Sequence, residues 1–124
     1  MPKTAVILYC DEDGSCPFLE WIVGLPAKAQ DKCLVRLERL RELGHELRRP
    51  EADFLRDGIY ELRANMQGVN YRILYFFHGT LTAIVSHGIV KERAVPPKEI
   101  DRAIERKKLF EANPAKHQKR ESVK

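Results

Sequence analysis

Apolar and polar positions alternate along this chain in two rhythms. Residues 5–9, Ala-Val-Ile-Leu-Tyr, are a short apolar run ended by Asp11-Glu12-Asp13-Gly14, a strand and then a turn. Ser15 is placed to cap a helix and Pro17 to sit in its first turn. Phe18, Leu19, Trp21 and Ile22 give that helix an apolar side before Gly24 stops it. A second helix opens at Pro26. Its Cys33, Leu34, Leu37 and Leu40 fall on one stripe, with Lys28, Asp31, Lys32, Arg36, Arg39 and Glu42 elsewhere, and Gly44 closes it. The two helices are expected to form a hairpin packed through their apolar faces. Residues 45–57 are polar around an isolated Phe54-Leu55 and read as a connecting loop, its Arg48-Arg49 pair either solvated or, as the alternative, in contact with phosphate.

From Gly58 the period changes to two. Ile59 to Arg63 alternates, a turn follows at Gln67-Gly68, and Tyr71 to Phe77 is a dense strand. His78-Gly79 is a hairpin turn, and Leu81 to His87 is the next strand. Short turns imply an antiparallel meander. Lys91-Glu92-Arg93 leaves it as a charged segment. Pro96-Pro97 starts a final helix with a stripe of Ile100, Ala103, Ile104 and Leu109, ending near Asn113-Pro114. The order β-α-α-β-β-β-α defines an α+β fold: an antiparallel β-sheet with an N-terminal helical hairpin on one face and a C-terminal helix. Residues 1–112 form one domain, and residues 113–124 read as a basic, disordered tail.

Composition narrows this only slightly. At 124 residues, 44% of them hydrophobic, the chain can bury a core without staples. No run reaches the ~18 apolar residues of a membrane span. Asp11-Glu12-Asp13 stands where a signal peptide would have its cleavage site, so the chain reads as cytoplasmic. Cys10, Cys16 and Cys33 are odd in number and show no paired or zinc spacing, so they read as small hydrophobes or incidental thiols. No metal or cofactor is implied. Charge adds more. Residues 1–62 carry 9 Lys/Arg against 12 Asp/Glu, and residues 63–124 carry 13 against 6. A basic half points to a polyanionic partner, nucleic acid being the usual one.

Phosphate-loop, nucleophile-elbow and zinc-helix signatures are absent. What remains is a set of cations on strand residues: Arg63, Arg72, His87, Lys91 and Arg93. Arg72 lies inside an apolar strand and must face solvent or pair. Alternation puts Arg72, Leu74 and Phe76 on one face and Tyr71, Ile73 and Tyr75 on the other. Gathered at one patch, these cations form either a phosphate site for RNA or structural salt bridges with Glu61 and Glu92.

The run from Gly58 to Phe110 resembles the RelE/HigB-type toxins of bacterial type II toxin–antitoxin systems, in their phage-derived HigB-like branch. The resemblance rests on Tyr60-Glu61-Leu62-Arg63, the glycine turn, Tyr71 to Tyr75, His87 to Arg93 and the helix from Pro96 to Arg106. It covers residues 4–112. It implies a microbial-RNase-like fold, ribosome-dependent mRNA cleavage, and a cognate antitoxin, often a helix-turn-helix protein. The related ParE-like branch instead inhibits DNA gyrase without cutting RNA. Ile59 and Glu61 stand where the RNase branch often carries lysines. The resemblance assigns Arg72 and Arg63 to phosphate stabilisation. His87 and Lys91 are candidates for proton transfer, Arg93 for phosphate contact, and Tyr60 and Tyr71 for base stacking.

Overall fold

The computed structural model describes residues 3–90 and 93–119. Among these, strands β1 (Ala5–Leu8), β2 (Ala52–Arg56), β3 (Ile59–Met66), β4 (Val69–Phe77) and β5 (Thr82–Val90) form one sheet in the order β1-β5-β4-β3-β2. Helices α1 (Pro17–Ile22) and α2 (Ala27–Leu43) lie between β1 and β2, and α3 (Pro97–Ala112) follows β5.

The α+β class and the meander are as expected, and three details differ. The sheet is mixed, because β1 pairs in parallel with β5, Ala5 opposite Thr82 and Leu8 opposite Val85. The loop expected over residues 45–57 contains an edge strand, β2, antiparallel to β3. The helical pair is a hairpin only in sequence: α1 packs mainly on β5 and α2 on β3, each against the sheet more than against the other. The α1 helix is only six residues long. Ser15 does not cap it, since its Oγ donates to Asp13 Oδ1 at 2.8 Å.

The strand period of two divides the core. Leu62, Ala64, Tyr71, Ile73, Tyr75 and Val85 pack under α1 and α2. Ile59, Leu74, Phe76, Ile84 and Ile89 pack under α3. On α2 the buried stripe is Ala29, Cys33, Leu37 and Leu40, with Leu34 exposed. On α3, Phe110 is buried where Leu109 was expected. Two glycines hold elements close. Gly44 has φ +53°, and a Cβ there would collide with Thr4 Oγ1, where the chain entering β1 crosses the end of α2. Gly88 lies in β5 directly under the Trp21 ring, which a Cβ would overlap.

The expected disordered tail is docked through Lys119. A 3₁₀ turn at Pro114–Lys116 brings Gln118 into a bridge with Tyr9. Residues 120–124 of that expected tail lie outside the described residues. No described helix is long and apolar enough to cross a membrane.

Candidate nucleic-acid interface

Arg63 and Arg72 are cross-strand partners on β3 and β4. By strand alternation they lie on the α3 side of the sheet, with Ile59, Leu74 and Phe76. Neither is at a strand end, since β3 continues to Met66. Between them sits Glu61, 2% exposed. Arg72 Nη1 donates to Glu61 Oε1 at 2.6 Å, and Arg63 Nε donates to Glu61 Oε2 at 3.0 Å. Arg72 is 13% exposed and Arg63 38%. Arg72 Nε is buried and has no hydrogen-bond partner among the described residues. The expected Glu61 partnership is therefore present; Glu92 lies outside the described residues.

The network extends to arginines that the sequence reading left on solvated surface. Asp53 of β2 accepts from Arg63 at 3.2 Å and pairs with Arg49 at 2.9 Å. Those two cations hold the Asp53 carboxyl below its usual range, Arg49 first. Glu51 bridges Arg36 at 3.2 Å and Arg39 at 3.0 Å and is lowered likewise, chiefly by Arg39. Arg36 also reaches from α2 to donate Nε–H to the Arg63 carbonyl at 2.7 Å. Each of these three carboxylates is thus shared by two arginines. A groove of about 290 Å³ is lined by Arg36, Arg63, Arg72, Asn65, Asn70 and Tyr71, with no acidic residue in its lining. Each carboxylate holds the guanidinium groups that it pairs with in a fixed orientation. Planar forks fixed in this way are suited to phosphate oxygens.

His87 is in the middle of β5, not at its end, because the strand continues to Val90. It is opposite Leu74, one pair along the same face from Arg72 opposite Ile89. It is 6% exposed. Arg106 Nη1 is 2.9 Å from Nδ1 and can only donate, so Nδ1 accepts and the proton is on Nε2. Nε2–H donates to Glu99 Oε1 at 3.0 Å. Ser86 Oγ lies 2.7 Å from Nδ1. The Ser86-His87-Glu99 line has the connectivity of a nucleophile triad, but Ser86 is fully buried. Burial, then the Arg106 charge, push the His87 imidazole below its ordinary value. Both ring nitrogens are engaged within the fold, Nδ1 with Arg106 and Nε2 with Glu99, so that His87 ties β5 to α3.

The tyrosines are on the other face from Arg63 and Arg72. Tyr71 is buried in a T-shaped contact with Trp21, ring centroids 6.3 Å apart, and lines the groove beside Arg72. Tyr60 is half-buried among Phe54, Tyr75 and Phe77 and borders a second groove with Arg48 and Arg49. Arg93 is exposed, three residues after Val90, which is opposite Tyr71. Lys91 lies outside the described residues. Arg36 and Arg106 were missed. Arg36 and Arg39, three apart on one helix and shared with one Glu, were the available signal for the first of these.

The reading of the cysteines is also corrected. Cys10 and Cys16 form a disulfide, while Cys33 is free and buried, its thiol pushed up to about 11 by that burial.

Residues 20–108, more than two thirds of the chain, match the family described as Phage derived protein Gp49-like (DUF891). The chain belongs to this family. No curated protein matches it.

Proposed function

We propose that this phage-derived protein is the toxin of a type II toxin–antitoxin pair and cleaves mRNA on the ribosome. The observation that supports this most is the groove of three arginines with no acidic residue in its wall. In this reading the RNA 2′-OH attacks the adjacent phosphorus and the bond to the 5′ oxygen breaks. The products are a 2′,3′-cyclic phosphate and a 5′-OH. Arg72 and Arg63 meet the extra negative charge of the phosphorane, where losing one preorganised donor costs on the order of 10²–10³ in rate. Arg93 and Lys91 contact flanking phosphates, and no metal takes part. Tyr60 stacks on a base at the groove it shares with Arg48 and Arg49. His87 is a positioning residue that fixes β5 beside Arg72. With no described acid–base pair facing the groove, alignment on the ribosome supplies much of the rate. A cognate antitoxin, of helix-turn-helix type, neutralises the protein.

A second reading is a toxin of the same fold that inhibits a protein target, such as gyrase, without cutting RNA. The sealing of His87 between Glu99 and Arg106 favours it. Primer extension on cellular mRNA after brief induction separates the two. The first reading expects cuts within codons, abolished in folded Arg72→Ala protein together with growth arrest. Arrest without cuts would establish the second. A folded Arg72→Ala protein that still cuts and still arrests growth would remove Arg72 from the site.

A further inference from the structure

The C-terminal segment is fastened to β1 at a residue that also carries a crosslink. Cys10 and Cys16, six positions apart, are joined by a disulfide. The loop they close is held internally by Asp11 N–H to the Ser15 carbonyl at 2.8 Å and Gly14 N–H to the Asp11 carbonyl at 2.9 Å. On its other side the Cys10 backbone is gripped twice by His117. Cys10 N–H donates to the His117 carbonyl at 2.9 Å, and His117 Nδ1–H donates to the Cys10 carbonyl at 3.0 Å. Two residues earlier, Lys119 N–H reaches the Leu8 carbonyl at 3.3 Å, and the His117 ring lies flat on Tyr9 with centroids 5.2 Å apart. Arg106, which binds His87, sits 5.8 Å from the centre of the same Tyr9 ring.

Cys10 is thus the hinge of the clamp, and its backbone is fixed from the loop side by the bond to Cys16. Without that bond the loop would keep its internal hydrogen bonds and the interactions of Asp11 with Tyr9 and Arg106, against three consecutive carboxylates, Asp11, Glu12 and Asp13, that repel one another. Both cysteines are buried, but a groove of about 460 Å³ opens over them between the acidic loop and Lys116 and Lys119. A small thiol has an approach. The sheet itself does not depend on the pair, since β1 to β5 registers through Ala5 to Leu8.

We propose that Cys10–Cys16 is a redox latch: reduction by a dithiol frees residues 113–119 from β1 while the sheet stays folded. In the first step a thiolate of the reductant attacks one sulfur of the pair, the S–S bond breaks, and a mixed disulfide forms. The second thiol of the reductant then displaces the protein sulfur, and the reductant leaves as a cyclic disulfide. Two electrons pass to the protein, and each cysteine sulfur ends as a thiol with one proton. The inference does not rest on the toxin reading.

The test is amide hydrogen exchange on the full chain, oxidised and after dithiothreitol, with mass confirming the added hydrogens. The Cys10 and Lys119 amides are expected to exchange at least tenfold faster on reduction, while Ile73 and Leu74 in β4 keep their protection. Reoxidation should restore the slow exchange. Cys10→Ser/Cys16→Ser should exchange fast in both conditions; if that variant does not fold, the reduced natural chain gives the same reading. Three results would overturn the latch: unchanged exchange at Cys10 and Lys119, loss of protection across β4 as well, or a pair that dithiothreitol does not reduce in the folded chain.

Discussion

Replacing Glu61 by Gln removes one negative charge from between two arginines and changes shape little. Glu61 is 2% exposed and Arg72 13%, so Arg72 would be left as a nearly buried cation with no counter-charge among the described residues. Breaking a buried pair from one side costs about 3–5 kcal/mol. The Arg63 share is small, because it is 38% exposed and keeps Asp53 at 3.2 Å, where screening leaves less than about 1 kcal/mol. The Gln carbonyl still accepts one hydrogen bond, which offsets roughly 1 kcal/mol. The expected loss for Glu61→Gln is therefore about 2–4 kcal/mol, or on the order of 8–15 °C in Tm for a chain of this size. Adding Arg72→Met takes away the stranded charge. The double variant should recover to within about 1 kcal/mol of the natural chain, since a buried ion pair and an apolar pair of similar volume are often near neutral. Urea unfolding of the four proteins measures this, provided the slope with denaturant is unchanged. A Glu61→Gln midpoint equal to that of the natural chain would refute the reasoning. So would a double variant that loses the sum of the two single losses.

Gly88→Ala should destabilise by about 1–3 kcal/mol through overpacking against Trp21, read by thermal unfolding; the further change Trp21→Leu should return part of the loss. His87 gives a pH dependence. Its folded value is depressed, so the unfolded chain binds a proton that the folded chain refuses. The stability this neutral imidazole contributes is complete above the ordinary value of about 6.5 and declines as pH falls below it. In His87→Gln that part of the pH profile should be absent and the protein less stable at pH 7; an unchanged profile between pH 7 and 5 would contradict the burial argument. Arg36→Ala should weaken binding to a single-stranded RNA and reduce the salt slope by about 0.7 if Arg36 meets a phosphate. An unchanged slope in fluorescence titrations would place Arg36 outside the interface.

The meander was legible because its strands alternate and its turns are short; Gln67-Gly68 has both residues at positive φ, as a two-residue hairpin turn requires. The same signal stood at Asp57-Gly58, which also has positive φ at both residues and makes the β2–β3 hairpin. It was overridden by the charges on either side of Phe54-Leu55, which is how an edge strand with one solvated side reads. The parallel β1–β5 pair has no local signature, since nothing in residues 5–8 says which edge they join. At the site, Arg63, Arg72 and Glu61 followed from strand register. The burial of His87 was visible in the apolar strand around it, but Glu99 and Arg106 were not, because a helix crossing angle decides which of its residues reach β5. The disulfide escaped because the odd cysteine count was weighed ahead of the Asp-Glu-Asp-Gly turn that brings Cys10 back to Cys16.

The position of β1 has a consequence for the order in which the molecule assembles. Residues 5–8 leave the ribosome well before their partners, Thr82 to Val85. The arginine pair, by contrast, is closed by one hairpin, Arg63 against Arg72. Contacts that are close in sequence form early, and those spanning most of the chain form late. The cationic groove is therefore a product of local, fast pairing in the middle of the chain. Docking of the first strand, and of residues 117–119 behind it, belongs to the slow end of folding. A nascent chain long enough to present Arg63 and Arg72 still carries Ala5 to Leu8 as an unpaired apolar strand, so this is the stretch most exposed to misassociation before synthesis is complete.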